Sequence, residues 1–369
     1  MSEQFAVQTE VDEFQRDSFI ERLMRDAAGF FSIYSIYIGD RLGYYEALSR
    51  NGSLNSEELA RHTCTQERYT REWLEQQAVT GILEVSNAEA EPKARRFSLP
   101  AAHAEILVDK DSLNYLAPLA QLLAGVARPL PALLRAYRHG GGVSFSEYGE
   151  DVREGQAGMN RAMFLQELGQ VWFPAIPSIH ARLQHDSPAK VADIGCGAGW
   201  SAIAMASTYP KIHVDGFDLD NPSIDMARAN ARQANLNGRV TFHARDAADP
   251  ALTGQYDLVT AFECVHDMTD PVGVLRTMRR LVNGSGEVII VDERVGDAFS
   301  PAGNDVEWMM YGWSMLHCLP VGMDGQTPAG TGTVMRTNTL RGYAQHAGFQ
   351  DVQVLPIENF FFRFYRLIP

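Results

Sequence analysis

The sequence is poor in cysteine and in positive charge, and it lacks a long uninterrupted apolar run. Its four cysteines among 369 residues form no C-x-x-C pair, so they predict neither a zinc knuckle nor a disulfide framework. The 32 Lys and Arg are outnumbered by 46 Asp and Glu, and the net charge of −14 argues against nucleic acid or an anionic membrane as main partner. Three prolines and an arginine interrupt the most apolar stretch, residues 113–134, which excludes a membrane-spanning helix there.

The composition is otherwise that of a globular protein. A hydrophobic content of 45% supports full cores, and 369 residues suit two domains better than one. The segment Met1–Phe5 is polar and acidic and lacks the charged-then-apolar pattern of a secretory signal. We therefore expect a cytoplasmic protein without a metal site.

The most informative segment, residues 191–200, is a glycine-rich loop between an apolar strand and a small-residue helix. Asp193 precedes the loop, in which Gly195, Gly197 and Gly199 follow at every second position. Glycine allows a sharp turn and a close approach of the backbone to a ligand, toward which the N–H groups of the helix point. The spacing D-x-G-x-G-x-G differs from the dinucleotide pattern G-x-G-x-x-G. A plain tight turn is the alternative interpretation of this loop by itself.

An acidic residue follows each of the next strands. Asp218 comes after a strand at 212–217, where a carboxylate can accept from both hydroxyls of a ribose, and Leu219 lies beside it. Asp220 is the rival acid, but its place just before Pro222 predicts a helix cap instead.

Two further strands end in the same way. Asp246 can accept from an adenine amino group, and the backbone N–H of Ala247 can donate to a ring nitrogen. Glu263 follows the strand at 256–262. Because open α/β sheets bind ligands beyond the carboxyl ends of their strands, we expect all these groups at one edge of a sheet.

The remaining strands complete an α/β domain at residues 185–369. A strand at 286–291 and a closing hairpin at 351–367 predict a seven-stranded, mostly parallel sheet with one antiparallel strand at its end. Residues 113–184 are predicted as a helical linker that partly covers the ligand pocket.

Residues 1–112 are predicted as a helical winged-helix and dimerisation domain. Two short helices followed by a two-stranded wing are typical of DNA-binding modules. The first 110 residues, however, hold 12 Lys or Arg against 19 Asp or Glu, whereas duplex DNA requires several unopposed cations. We expect the arginines of the second helix in the pairs Glu67–Arg71 and Arg68–Glu72. An interface role without nucleic acid is therefore predicted.

A helical region at 12–48 carries more aromatic residues than one short helical face can bury, which predicts a homodimer. The aromatics concerned are Phe30, Phe31, Tyr34, Tyr37 and Tyr45.

These segments together resemble the winged-helix class I methyltransferases that use S-adenosyl-L-methionine (SAM), and among them a bacterial transcriptional-regulator-like subgroup. The resemblance covers nearly the whole chain and rests on residues 67–74, 81–84, 191–199, 263–268 and 347–349. It implies a Rossmann-like catalytic domain in which the glycine loop and the acids after the strands bind SAM. It also implies a homodimer and a small, partly apolar or aromatic acceptor that is methylated on oxygen or nitrogen.

Two histidines are candidates for the base that a hydroxyl acceptor needs. His266 follows the fourth strand of the sheet, and His317 lies in the segment 313–320. Asp292 and Glu293, after the fifth strand, can orient such a histidine. Two alternatives stay open, namely histidines with only a structural role and transfer that positioning alone drives. A second function hypothesis is a SAM- or ligand-responsive transcriptional regulator that keeps the fold without turnover.

Overall fold

The structure is a computed structural model that describes residues 12–236, 238–301 and 303–369. It divides into two compact units, Met1–Asp109 and Lys110–Pro369. The region predicted as a linker, 113–184, lies in the second unit.

The first unit is helical with a small antiparallel sheet. Its elements are α1 Glu13–Arg41, α2 Tyr44–Asn51, α3 Ser56–Thr63, α4 Glu67–Val79, β1 Glu84–Val85, β2 Phe97–Ser98 and α5 Ala101–Leu107. The helical region predicted over 12–48 is two helices, because the chain turns at Gly43, whose φ is 69°. Asn55 and Glu58 form a capping box that begins α3.

Four arginines of the helix-turn-helix and wing are paired with acids. Arg71 contacts Glu67 at 3.0 Å and Arg68 contacts Glu72 at 2.5 Å, which confirms both predicted pairs. In the wing, Arg95 contacts Glu75 and Arg96 contacts Glu58, in each case on a neighbouring helix.

Helices precede the sheet in the second unit. They are α6 Ala117–Val126, α7 Leu130–His139, α8 Phe145–Tyr148, α9 Glu150–Met163, a π-helical segment Phe164–Trp172 and α10 Pro177–Gln184. Among the described residues no single helix is long and apolar enough to cross a membrane. The pair α6 and α7 passes that test of length and composition together, with a bend of 52° between its helices.

The main sheet has seven strands. They are β3 Ala189–Ile194, β4 Ile212–Asp218, β5 Val240–Ala244, β6 Tyr256–Phe262, β7 Val282–Glu293, β8 Asp351–Val354 and β9 Phe362–Ile368. Their order is β5-β4-β3-β6-β7-β9-β8, and β9 is antiparallel to both of its neighbours. The predicted single antiparallel strand is confirmed, but its predicted place at the sheet end is wrong, because β9 turns back between β7 and β8.

Helices connect the strands of this sheet along the chain. They are α11 Trp200–Thr208, α12 Asn221–Gln233, α13 Pro271–Leu281, α14 Asp305–Trp313, α15 Leu319–Gly322 and α16 Thr337–Ala347. A π-helical segment, Ser314–Cys318, joins α14 to α15. Two apolar cores, one on each face, make the central strands buried on both sides, as is usual in parallel sheets. The polar ends of β3, β4, β6 and β7 therefore meet at one edge.

Candidate active site

Gly195, Gly197 and Gly199 form the turn between β3 and α11, with φ values of 67°, 49° and 80°. A Cβ at Gly195 would lie 2.6 Å from Sγ of Cys264, and one at Gly199 would lie 2.5 Å from the Phe242 ring. A Cβ at Gly197 would meet nothing within 4 Å. Protein thus packs against two sides of the loop, and a ligand can approach its backbone at Gly197.

Asp193, at the end of β3, links this strand to two neighbouring elements by buried hydrogen bonds. Its carboxylate is 1% exposed and accepts hydrogen bonds from the hydroxyls of Ser201 on α11 and Thr260 on β6. Burial raises the pKa of Asp193 to about 6 although both hydroxyls oppose this shift. The carboxylate therefore fixes the loop by tying it to two neighbouring elements.

Asp218 at the end of β4 lies directly beside the open part of the loop. One carboxylate oxygen accepts from the N–H of Gly197 at 2.8 Å, and the other accepts from the N–H of Asp220 at 2.9 Å. Burial raises the pKa of Asp218 against these two hydrogen bonds. Asp220 caps α12 by accepting from the N–H of Ser223, which confirms its predicted capping role. It also forms a bidentate ion pair with Arg153.

The ends of β4 and β5 are joined beside this acid. The N–H of Arg245 donates to the carbonyl of Asp218 at 2.8 Å. Asp246 is exposed and accepts from the N–H of Ala248 at 2.8 Å, while Ala247 is half-buried. Leu219 is 71% exposed at the same edge and offers an uncovered apolar surface.

Glu263 follows β6 with a strained backbone. Its φ of 52° is in the left-handed region, which costs a non-glycine residue roughly 1–2 kcal/mol and is found most often at functional sites. Its Oε1 is buried and has no hydrogen-bond partner among the described residues. Burial raises the pKa of Glu263 to about 7, and nearby His266 opposes that shift. The structure places this acid with the histidines of the site.

His266 is held by the two acids that the sequence predicted for this task. The ring is 3% exposed, and Nδ1 lies 3.0 Å from Asp292 and 3.3 Å from Glu293. Burial disfavours a charge on this ring, but the two carboxylates outweigh burial and hold the pKa of His266 well above its usual range.

The π-helical segment Ser314–Cys318 brings His317 and Cys318 to the same place. Sγ of Cys318 lies 3.5 Å from Nδ1 of His317, and a ring nitrogen of His266 lies within 4.8 Å of the same sulfur. Burial alone would raise the pKa of the Cys318 thiol, but both histidines outweigh it and lower the pKa to about 5. Nε2 of His317 is buried and has no partner in the described part of the chain. Its ring packs edge-on against Phe145 and Tyr148.

We call this group of ionisable side chains the buried cluster. Its members are Glu263, His266, Asp267, Asp292, Glu293, His317 and Cys318. The cluster adjoins the glycine loop, because Cys264 packs on Gly195 and its thiol donates to the carbonyl of Ile194 at 3.3 Å.

Two protein families match this chain. Residues 185–317 match the family described as methyltransferase domain, and residues 32–109 match the Rv2258c-like winged HTH domain. The chain joins a methyltransferase domain to a winged helix-turn-helix domain. The predicted resemblance to winged-helix class I methyltransferases is confirmed in both of its parts.

Solved structures agree on the fold over nearly the whole chain. The mitomycin 7-O-methyltransferase MmcR has a TM-score of 0.70 at 19% identity and covers 96% of this chain and 99% of its own. Human N-acetylserotonin methyltransferase in complex with SAM has a TM-score of 0.65 at 18% identity. The match covers 98% of this chain and 99% of the human chain. The predicted fold is therefore confirmed, and SAM is the cofactor of this class.

Similarity in sequence to curated proteins is confined to part of the chain. The 27-O-demethylrifamycin SV methyltransferase of Amycolatopsis mediterranei is 32% identical over 119 residues, which are 32% of this chain and 43% of that protein. The chain spans less than half the length of the curated relatives it matches.

The methyltransferase domain fits SAM in its own details. The loop is open at Gly197, and the carboxylate beside it belongs to Asp218. An exposed apolar side chain, Leu219, and the end of β5 complete the same edge. This edge thus offers a carboxylate acceptor and an apolar side chain, which are the kinds of group that a ribose diol and an adenine ring require.

Sequence reasoning missed two members of the buried cluster, Asp267 and Cys318. Cys318 is 52 positions from His266, and only the packing of the π-helical segment against the end of β6 brings the two together. The only sequence signal for Cys318 is its position next to His317. Because the cysteines are scattered along the chain, this position alone does not predict a role in the site.

Proposed function

We propose that this protein is a SAM-dependent methyltransferase that acts on a small-molecule acceptor. The supporting observation is that the open glycine loop adjoins a cluster of buried acid and base groups, with Cys264 packed on Gly195 and His266 two residues further on. SAM supplies a methyl group on a positively charged sulfur, which a lone pair of the acceptor can attack. The protein's part is to hold both reactants in line and to accept a proton where one is released.

Asp218 is the proposed acceptor for the ribose hydroxyls. Its carboxylate is fixed by two backbone N–H groups, so little ordering remains when a ligand binds. Asp246 and the N–H of Ala247 are proposed for the adenine edge, and Leu219 for its apolar face. The glycines of the loop are proposed to line the rest of the SAM site. Asp193 and Glu263 are proposed to support this site from inside the protein.

The acceptor is proposed to be a partly aromatic or apolar molecule methylated on oxygen. Aromatic rings of Phe145 and Tyr148 pack around His317, and Trp313 packs on the same apolar group. Two of the proteins compared above carry an oxygen position in their names. We extend that preference to this chain.

One imidazole of the buried cluster is proposed to take the acceptor's proton. His266 is oriented by Asp292, in the manner of a general base. His317 has an unpartnered Nε2 within the described structure and lies among the aromatic rings. Single substitutions of each histidine decide between them.

Calorimetry with SAM and its demethylated product tests the cofactor site. Asp218→Ala removes a charged hydrogen-bond acceptor and should cost about 1.5–3 kcal/mol, roughly a 10- to 100-fold loss of SAM affinity. Asp225→Ala on the exposed side of α12 is the matched control and should leave SAM affinity unchanged. Equal affinities for the two variants would exclude Asp218 as the ribose acid.

A mass-spectrometric search for methylated products tests turnover. Purified protein and SAM are incubated with metabolite extracts, and products heavier by one methyl group are sought. SAM binding without any product in a broad range of extracts would favour the regulator hypothesis. The structure gives that hypothesis no support, because the four arginines of the helix-turn-helix and wing named above are paired with acids.

A further inference from the structure

The buried cluster contains a set of donor atoms that methyl transfer to oxygen does not require. A ring nitrogen of His266, a carboxylate oxygen of Asp267 and Sγ of Cys318 lie within 4.8 Å of one another. Imidazole, thiolate and carboxylate are the donors that Zn²⁺ uses in proteins, and a thiolate disfavours Mg²⁺ and Ca²⁺.

A second group has donor atoms within the same distance of 4.8 Å from one another, namely His266 with Asp292 and Glu293. The hydrogen bonds of His266 decide between the two. Nδ1 is hydrogen-bonded to Asp292 and lies 3.3 Å from Glu293, which leaves Nε2 for an ion. A metal-binding histidine usually gives its other ring N–H to a carboxylate, which fixes the ring. Asp292 thus fits the supporting position behind the ligand His266.

Buried polar atoms without hydrogen-bond partners lie on residues next to this group of donors. Within the described residues, neither Nε2 of His317 nor Oδ2 of Asp292 has a hydrogen-bond partner, although both are buried. Buried polar atoms are nearly always paired in folded proteins, with protein, water or an ion. Both residues touch members of the donor set.

We propose that His266, Asp267 and Cys318 bind a divalent d-block cation, with Zn²⁺ as the ion that these donors favour. Zinc ligand bonds are about 2.0–2.3 Å long, so binding would draw the three donor atoms, which lie within 4.8 Å of one another, closer together. Asp267 is partly exposed whereas the other two are buried, so an ion enters from its side. Binding displaces any proton on Nε2 of His266 or on Sγ of Cys318, and that proton passes to solvent.

The site goes beyond the proposed function and bears on it at one point. Three protein ligands leave a fourth coordination position, as in catalytic zinc sites and unlike structural ones. In the metal-bound protein His266 is a ligand, and His317 is then the imidazole left for the proton of the acceptor.

The test is the zinc content of full-length, tag-free protein after loading with Zn²⁺ and gel filtration. Wild type should keep one equivalent, and Cys318→Ser and Asp267→Asn should not. Asp292→Asn should retain the ligands but bind Zn²⁺ about 10- to 100-fold more weakly. Cys64→Ser, at an exposed thiol of the first unit, is the matched control and should bind like wild type.

Cobalt gives an independent readout of the sulfur ligand. Co²⁺-loaded wild type should show thiolate-to-cobalt charge-transfer absorption that Cys318→Ser lacks. Circular dichroism checks that each variant folds, and if Cys318→Ser does not, Asp267→Asn carries the test with the thiol intact. Wild type without bound Zn²⁺, or variants that all retain it, would overturn the proposal. SAM calorimetry on the same samples separates the two ideas, since protein that binds SAM but no zinc contradicts only this inference.

Discussion

Asp193 carries a charge whose stability effect depends on pH. Its pKa in the folded protein is about 6, because burial disfavours the carboxylate, whereas an unfolded Asp titrates near 3.9. The folded state therefore binds a proton at higher pH than the unfolded state does. As pH rises from about 4 to about 6, this group lowers the unfolding free energy by roughly 3 kcal/mol, and the loss persists above pH 6.

Asp193→Asn removes that pH dependence while keeping polar atoms for Ser201 and Thr260. The unfolding free energy of the variant minus that of wild type should rise by up to roughly 3 kcal/mol between pH 4 and pH 7. Urea unfolding without SAM at both pH values measures it. Asp225→Asn, at an exposed position, should show no such change. If the difference in unfolding free energy between Asp193→Asn and wild type stays constant with pH, burial does not raise the pKa of the Asp193 carboxyl.

The two histidines of the buried cluster can be separated by kinetics once an acceptor is known. Replacing the imidazole that takes the proton by alanine should lower kcat by about 10²- to 10⁴-fold. SAM affinity should hardly change, because the cofactor contacts proposed above lie on the glycine loop and after β4 and β5. His346→Ala, an exposed histidine on α16, serves as control. Full activity in both His266→Ala and His317→Ala would mean that no histidine base operates and that positioning drives the transfer.

At the scale of elements, the turn from β3 to α11 admits only glycine at its first position. Gly195→Ala would place a methyl group 2.6 Å from Cys264 at a φ of 67°, so both space and conformation oppose it. We expect a loss of about 1–3 kcal/mol in unfolding free energy and weakened SAM binding.

Gly342→Ala is the matched control for Gly195→Ala, and we expect it to raise rather than lower the unfolding free energy. This glycine lies inside α16, and a Cβ there would meet nothing within 4 Å. Alanine should stabilise the helix by about 0.5–1 kcal/mol and leave SAM binding as it is. A Gly195→Ala protein as stable as wild type would contradict the packing described for the loop.

The π-helical segment Ser314–Cys318 is the element that assembles the buried cluster. A π-helical turn contains one residue more than an α-helical turn and is most often found at functional sites. Here it places both His317 and Cys318 against residues that follow β6. A regular α-helix would direct these neighbouring side chains differently.

At the scale of the whole molecule, α1 presents an apolar face that the described residues leave exposed. Its exposed large apolar side chains are Phe14, Phe19, Ile20, Leu23, Met24, Phe30, Phe31 and Ile38. Of the aromatics predicted for this face, Tyr34 and Tyr37 are half-buried, and Tyr45 is buried and packs on Trp73 with ring centres 5.2 Å apart. We keep the homodimer through α1 as a proposal, because exposed patches of this kind mark interfaces.

Light scattering tests the dimer. Wild type should have about twice the mass of the 40.9 kDa chain at micromolar concentration. Phe31→Glu should shift it toward the single-chain mass, because a charge would be buried at the interface. Tyr69→Glu alters an equally exposed aromatic on α4 and should leave the mass unchanged. A wild-type protein that is already monomeric rejects the proposal.

The sequence by itself determined the parts of this protein that depend on local chemistry. The glycine spacing specifies a turn with positive φ, and the alternation of strands and helices specifies the α/β sheet. A strand that ends in Asp218 places that acid at the carboxyl edge of the sheet. The cap at Asp220 and the pairs along α4 follow from spacings of three or four residues.

Only the tertiary structure decided what depends on distant segments. The order of β8 and β9 at the sheet edge, the enclosure of Asp193 and the meeting of His266 with Cys318 all join residues far apart in the chain. No local pattern encodes such contacts, because they result from how buried surfaces pack once helices and strands have formed. The same packing sets the charge states of the buried cluster, since burial and neighbouring charges, rather than residue type, shift the pKa values there.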